Sequence, residues 1–225
     1  MGAGTVARRM ATLSEVESKR RLAAHGVPLL DERTAASPDA AADAAAEIGF
    51  PVVVKLCGDA IAHKTERGLV RLNLADVAAV RSAGAELFAK ATPDDGPVEL
   101  LVAPMVRGTR ELIAGLVRDP QFGPCVMLGI GGVLAEAIAD VQIRLVPIDR
   151  VDADEMIDQL ATQALLGTFR GEPAVDREAL GAVLLGLSAL AEQDPTITSV
   201  DLNPLIVSPA DGRPLAVDAL VEVAS

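Results

Sequence analysis

Tryptophan and tyrosine are absent from these 225 residues, and phenylalanine occurs only 4 times. A flat ligand must therefore be gripped mostly by aliphatic side chains. Cysteine is limited to Cys57 and Cys125, in unrelated apolar settings. They form neither a disulfide framework nor a metal-like spacing, and read as small buried hydrophobes in a reducing compartment. Positive charge is also scarce: 20 Lys and Arg face 32 Asp and Glu, for a net charge of -12. That balance lacks the basic stripe that nucleic acid or an anionic membrane surface requires. No apolar run approaches the ~18 residues of a membrane span, and the first residues lack an apolar signal core. The expectation is a soluble, cytoplasmic protein with a flexible arm over residues 1–13.

Apolar residues make up 50% of the chain, much of it alanine, which favours helices around a sizeable core. Ser14, with Glu17 three positions on, predicts a capped helix over 14–25 that stops at Gly26. His25 falls in its last turn, where the helix dipole suits it. Ser37-Pro38 opens a second helix that ends at Gly49. The β-branched run at 50–56 predicts a buried strand, followed by a strand at 69–74 and a helix at 75–91. Residues 92–97 read as a linker between lobes. Beyond them the pattern predicts strands at 98–106, 111–118, 125–128 and 142–147. Helices are expected at 153–166, capped by Asp152, and at 176–192. A final hairpin over 197–223 turns at Asp211-Gly212. This is an α+β architecture in two lobes, 14–96 and 97–225, with a ligand cleft between them.

Four places in this pattern carry chemistry. Lys55 ends the valine run, so its ammonium is buried and needs either a carboxylate or a phosphate oxygen. The segment 61–69 gathers His63, Lys64, Arg67 and Gly68 between two strands; it is either a solvated turn or a loop that offers positive charge to phosphates. A strand runs into Gly129, Gly131 and Gly132, where the backbone either turns tightly or approaches a ligand. The glycine spacing is not that of a dinucleotide fingerprint. In the last hairpin, a two-residue turn at Asp211-Gly212 would set Asp218 opposite Leu205, beside Asn203. Asp201 would share their face because side chains alternate along a strand. Two acids and an amide oxygen on one patch suit Mg²⁺, although solvated acids are the alternative.

Together these segments resemble the ATP-grasp domain of ADP-forming acyl-CoA synthetases, related to the β subunit of succinyl-CoA synthetase. The resemblance runs from about residue 14 to 222. It rests on Val52-Val53-Val54-Lys55, on His63-Lys64-Thr65 followed by Gly68, and on Arg110-Glu111 through Gly115, Arg118-Asp119-Pro120 and Phe122-Gly123-Pro124. It rests also on Gly129, Gly131 and Gly132, on Leu165 to Gly171, and on Asp201-Leu202-Asn203-Pro204-Leu205. The resemblance implies an ATP-grasp fold with the nucleotide between two lobes. Lys55 would hold the phosphates, and the backbone from Ala103 to Val106 would read adenine. Glu111 would bind the ribose, and the turn at Gly131 and Gly132 would help hold the nucleotide. Asn203 and Asp218 would ligate Mg²⁺, with Asp201 near them. His63 would receive phosphate from a phosphohistidine on a CoA-binding α subunit and pass it to ADP, with Lys64 stabilising the phosphoryl charge. The chain would then be a β subunit in a hetero-oligomer. Two positions depart from the family pattern: Leu69 replaces a second glycine, and Arg67 replaces a smaller apolar residue.

The rival readings are a different ATP-grasp carboxylate ligase that uses a free acyl phosphate, a non-catalytic ATP or ADP sensor, and a purely structural partner subunit. The first would not need His63, the second would bind nucleotide without acquiring phosphate, and the third would bind none.

Overall fold

The computed structural model describes residues 10–58, 60–61, 64–132 and 135–224. The elements run β1 (Met10–Thr12), α1 (Glu15–Ala24), β2 (Arg33–Ala35), α2 (Pro38–Ile48), β3 (Val52–Cys57), β4 (Val70–Leu74), α3 (Val77–Ala89) and β5 (Glu99–Pro104). They continue with β6 (Glu111–Asp119), β7 (Gly123–Ile130), α4 (Ala135–Ile138), β8 (Val141–Leu145), α5 (Arg150–Asp158) and α6 (Gln163–Leu166). The last are α7 (Arg177–Gln193), β9 (Ile197–Val207), β10 (Pro214–Ala216) and β11 (Leu220–Ala224). No helix of the described residues is long and apolar enough to cross a membrane.

The strands form two antiparallel sheets. The smaller has the order β2-β5-β3-β4. Alternation along β3 gives it two buried faces. Val52, Val54 and Leu56 enter a core with Ala41, Ala42 and Ala45 of α2 and Val80 and Leu87 of α3. Val53 and Lys55 therefore face the other way, beside Ala103 and Leu101 of β5. The local signals that start these helices are visible: Ser37 caps α2 by accepting from Ala40 N, and Asp76 caps α3 by accepting from Ala79 N.

The larger sheet has the order β1-β11-β9-β6-β7-β8, with β10 alongside β9. One face packs on α5 and α7 through Leu112, Leu116, Val126, Leu128 and Leu202 against Met156, Ile157, Val183 and Leu187. Helix α1 joins this lobe: Leu22 lies in the same core, and Ser18 Oγ accepts from Val221 N of β11.

Four sequence expectations shift. Strand β5 pairs with β2 and β3, so the chain crosses between sheets after Pro104 rather than at 92–97. The turn at 92–97 is only a capped kink that feeds β5 back into the first sheet. Within the arm expected over 1–13, Met10–Thr12 pairs with β11, while residues 1–9 lie outside the described residues. The helix expected over 153–166 is two helices. Asp149, not Asp152, caps the first, and Asp152 returns a bond to Asp149 N. The buried Asp140 carboxylate then accepts from Ala161 N and Thr162 N, drawing the chain out of helix between them. Finally, β9 and β10 are joined by the loop 208–213 rather than a two-residue turn, with Pro214 opposite Val207. Gly212 is fixed there by φ 78 and by Ala174 O, which would lie 2.0 Å from an added Cβ.

Candidate nucleotide and metal site

The hairpin correction moves the register by an even number of residues, so the predicted face survives. Strand β10 sets Ala216 opposite Leu205, and β11 sets Leu220 opposite Asp201. Asp218, between them, falls opposite Asn203. The three residues Asp201, Asn203 and Asp218 line one polar groove, with Glu15, Lys64, Thr65 and Leu220 on its walls.

Behind this groove opens a second cavity of about 290 Å³. Its walls are aliphatic: Leu30, Val53, Val70, Leu72, Met105 and Ile206. Ala103, Pro104 and Val106 line it too, so the crossover from β5 to the larger sheet is part of the wall. Lys64, Thr65 and Asp218 are shared by the two cavities, and Lys55 stands in the apolar one. A single path thus runs from an apolar slot, past two lysines, to two carboxylates.

Of the two alternatives for Lys55, the structure shows the carboxylate. Lys55 Nζ donates to Glu15 Oε1 at 2.6 Å and to Val217 O at 2.7 Å, and stands 3.7 Å from Asp218 Oδ1. Lys64 Nζ lies 2.7 Å from Glu15 Oε2 and 3.8 Å from Asp218 Oδ1. Lys19 completes the cluster, 2.8 Å from Glu15 Oε1 and 2.6 Å from Glu32 Oε1. Burial alone would push the Glu15 carboxyl up, but Lys55, Lys19 and Lys64 reverse this and hold it well below the usual glutamate range. Burial works against the charge of Lys55 and of Lys64; Glu15 and Asp218 outweigh it and raise both.

The carboxylates behave differently. Burial, with Glu15 nearby, raises Asp218, and burial with Asp218 nearby raises Asp201. Such acids gain from a shared cation. Two carboxylates and an amide oxygen are hard donors, and the groove beside them leaves room for water and phosphate, so the set fits Mg²⁺. Among the described residues no group of three or more His, Cys, Asp or Glu is placed to hold a metal ion by itself.

The remaining sequence candidates are placed as follows. Glu111 lines neither cavity, but it pairs with Ile206, which does, and so shares its sheet face at the edge of the apolar slot. Gly131 and Gly132 also line neither; Gly131 N donates to Glu111 O at 2.8 Å. His63 lies outside the described residues. Both family departures have structural work: Leu69 is 1% exposed in the small-lobe core, and Arg67 grips Asp95.

Sequence reasoning missed Glu15, which lies between the capping pair Ser14 and Glu17. A signal was available. Glu15, Ser18, Lys19 and Leu22 occupy positions i, i+3, i+4 and i+7 of α1, and all four are buried. Charged residues on the inward stripe of a helix require internal partners.

Comparison with known proteins identifies the family. A family model described as an ATP-grasp domain matches residues 4–223. The β subunit of ADP-forming acetate–CoA ligase I from Pyrococcus furiosus is 35% identical over 210 residues, covering 92% of this chain and 90% of that one. An acetyl-coenzyme A synthetase of Ca. Korarchaeum cryptofilum, solved with coenzyme A and Ca-AMPCP, superposes with a TM-score of 0.85 at 36% identity, over 96% of this chain and 94% of that chain. The same enzyme with coenzyme A and Mg-AMPPCP, its phosphohistidine segment pointing towards the nucleotide site, gives 0.80 at 35% identity, over 96% and 93%. By its folded core, its lysine-lined slot and these relatives, the chain belongs to the ATP-grasp family, among the β subunits of ADP-forming acyl-CoA ligases.

Proposed function

We propose that this chain is the nucleotide-binding subunit of an ADP-forming acyl-CoA synthetase. It moves a phosphoryl group between ATP or ADP and a phosphohistidine on a CoA-binding α partner, within acid + CoA + ATP ⇌ acyl-CoA + ADP + phosphate. The observation that carries this is the direct opening of the aliphatic slot onto Lys55, Lys64 and Asp218. A purine fits between aliphatic walls where no aromatic side chain is available, and the backbone of Ala103 to Val106 offers the polar edge. Glu111, opposite the slot residue Ile206, is the candidate for a ribose hydroxyl.

In the ATP-forming direction the P–N bond to histidine breaks, and a P–O bond forms to the terminal oxygen of ADP. Little covalent chemistry is asked of the protein, so its task is positioning and charge neutralisation. Lys55 holds phosphate oxygens with the donor left over from Glu15 and Val217 O. Lys64, which borders both cavities, offers its charge to the oxygens of the transferring phosphoryl group. Asp201, Asn203 and Asp218 would hold Mg²⁺, which would neutralise charge on the phosphate oxygens. His63, next to Lys64 in sequence, is the relay candidate: a neutral imidazole nitrogen is nucleophilic near neutral pH. A reducing, cytoplasmic setting suits the free thiols of Cys57 and Cys125.

The test is calorimetry with MgADP and MgATP on wild type and Asp218→Ala. Micromolar binding that weakens sharply in the variant supports the reading. A folded wild-type chain that binds neither nucleotide would sink it.

A further inference from the structure

We infer that Glu15 is a positioning residue for phosphoryl transfer, one buried carboxylate that holds the strand lysine Lys55 and the loop lysine Lys64 side by side. This deepens the functional reading above and rests on it.

The Glu15 side chain is 0% exposed and uses its two oxygens on different elements. Oε1 takes Lys55 from β3, and Oε2 takes Lys64 from the loop that precedes β4. Glu15 itself stands on α1, which belongs to the larger lobe. One carboxylate therefore fixes a strand, a loop and a helix from two lobes relative to one another. Like-charged ammonium groups repel each other, and a loop lysine released from Glu15 would turn towards water, where its charge is better solvated. Stability alone would not require this arrangement, because buried ion clusters are commonly replaced by packed apolar residues without loss. What an apolar replacement cannot do is keep two ammonium groups charged and aimed past Asp218.

The lysines stay available to a ligand while Glu15 holds them. An ammonium has three donors. Lys55 uses two, on Glu15 and Val217 O, and a third bond is not found among the described residues. Lys64 is 10% exposed and lines both cavities. Because Lys64 follows His63 in sequence, holding its side chain also restrains the chain directly after the relay candidate.

The experiment measures MgADP and adenosine affinity by calorimetry for wild type, Glu15→Gln, Lys64→Gln and the double variant. Glutamine keeps the size of Glu15 and removes its charge. Loss of one charge-assisted contact to each lysine should weaken MgADP binding about ten-fold in Glu15→Gln, while adenosine, which needs only the aliphatic slot, keeps its affinity. In the Lys64→Gln background the same change should weaken MgADP less, because only Lys55 is then left for Glu15 to hold. If Glu15→Gln does not fold, the charge-balanced double variant compared with Lys64→Gln alone carries the test: weaker MgADP binding with adenosine affinity kept is expected, because Lys55 is still released, and near-equal MgADP affinities would overturn the inference. Unchanged MgADP affinity in Glu15→Gln, parallel loss for adenosine, or equal losses in both backgrounds would overturn the inference. Absence of MgADP binding by wild type would overturn the functional reading and this inference together.

Discussion

Arg67 closes on Asp95 through two nitrogens, Nη1 to Oδ1 at 2.6 Å and Nη2 to Oδ2 at 2.9 Å, tying the basic loop to the turn before β5. Asp95 Oδ2 also accepts from Thr92 N at 2.8 Å and from Thr92 Oγ1 at 2.9 Å. Asp95→Ala removes all four contacts, whereas Arg67→Ala leaves the cap on Thr92 in place. Thermal unfolding should therefore show a larger drop in midpoint for Asp95→Ala. Arg67→Lys should fall below wild type as well, because an ammonium cannot reproduce the fork. Equal midpoints for all variants would show that the loop is held elsewhere.

Removal of the acids should separate metal from nucleotide. Lys19, Lys55 and Lys64 face Glu15, Glu32 and Asp218, so the cluster is formally neutral before any ligand arrives. A polyphosphate then adds uncompensated negative charge unless a cation comes with it. Wild type should bind ADP at least about ten-fold more tightly with Mg²⁺ than with EDTA. Asp218→Asn should lose most of that difference, since it removes one of two carboxylates. Isothermal titration with and without EDTA measures both.

The pH dependence of stability carries the mark of Glu15. Against the effect of burial, Lys55, Lys19 and Lys64 hold its carboxyl well below the usual glutamate range in the folded chain. A depressed carboxyl contributes stability that is full above its unfolded pKa and is lost as pH falls towards the folded one. The wild-type melting midpoint should therefore drop as pH falls below about 4, with Glu15→Gln showing a shallower decline over the same range. Parallel curves would mean that the three lysines do not depress Glu15.

The aliphatic slot should be separable from the phosphate end. Leu72 lines the slot yet is 58% exposed, so the fold tolerates a polar side chain there. Leu72→Asp should weaken MgADP several-fold and leave binding of magnesium pyrophosphate near wild type. Equal losses for the two ligands would place the base elsewhere.

His63→Ala offers the remaining discrimination. MgADP binding should persist, while uptake of phosphate from a phosphorylated α partner should fall by orders of magnitude. Full turnover in the variant would favour a ligase that uses a free acyl phosphate.

Much of this was legible in the sequence where local chemistry decides structure. Ser37-Pro38 and Gly49 bracket α2 as expected. The valine run of β3 is buried on both faces, and Lys55 sits at its inward end. The face shared by Asp201, Asn203 and Asp218 was readable because strand alternation survives an even change in register. What was hidden depends on partners distant in sequence. Strand β5 belongs to the first sheet only because β2 and β3 accept it, and no property of 99–104 says so. Helix α5 ends early because Asp140, 21 and 22 residues before its partners, takes two backbone N–H groups. Glu15 meets Lys55 across 40 positions, and a helix-start glutamate has a local explanation that conceals the distant one.

The lysine cluster also has a mechanical meaning. Glu15 and Val217 come from the larger lobe and Lys55 from the smaller; the contact of Lys55 with Glu15 is buried and that with Val217 O is partly buried. Spreading the lobes would tear charged groups from each other before water could reach them. They act as a rivet at the back of the cleft, pinning one lobe to the other.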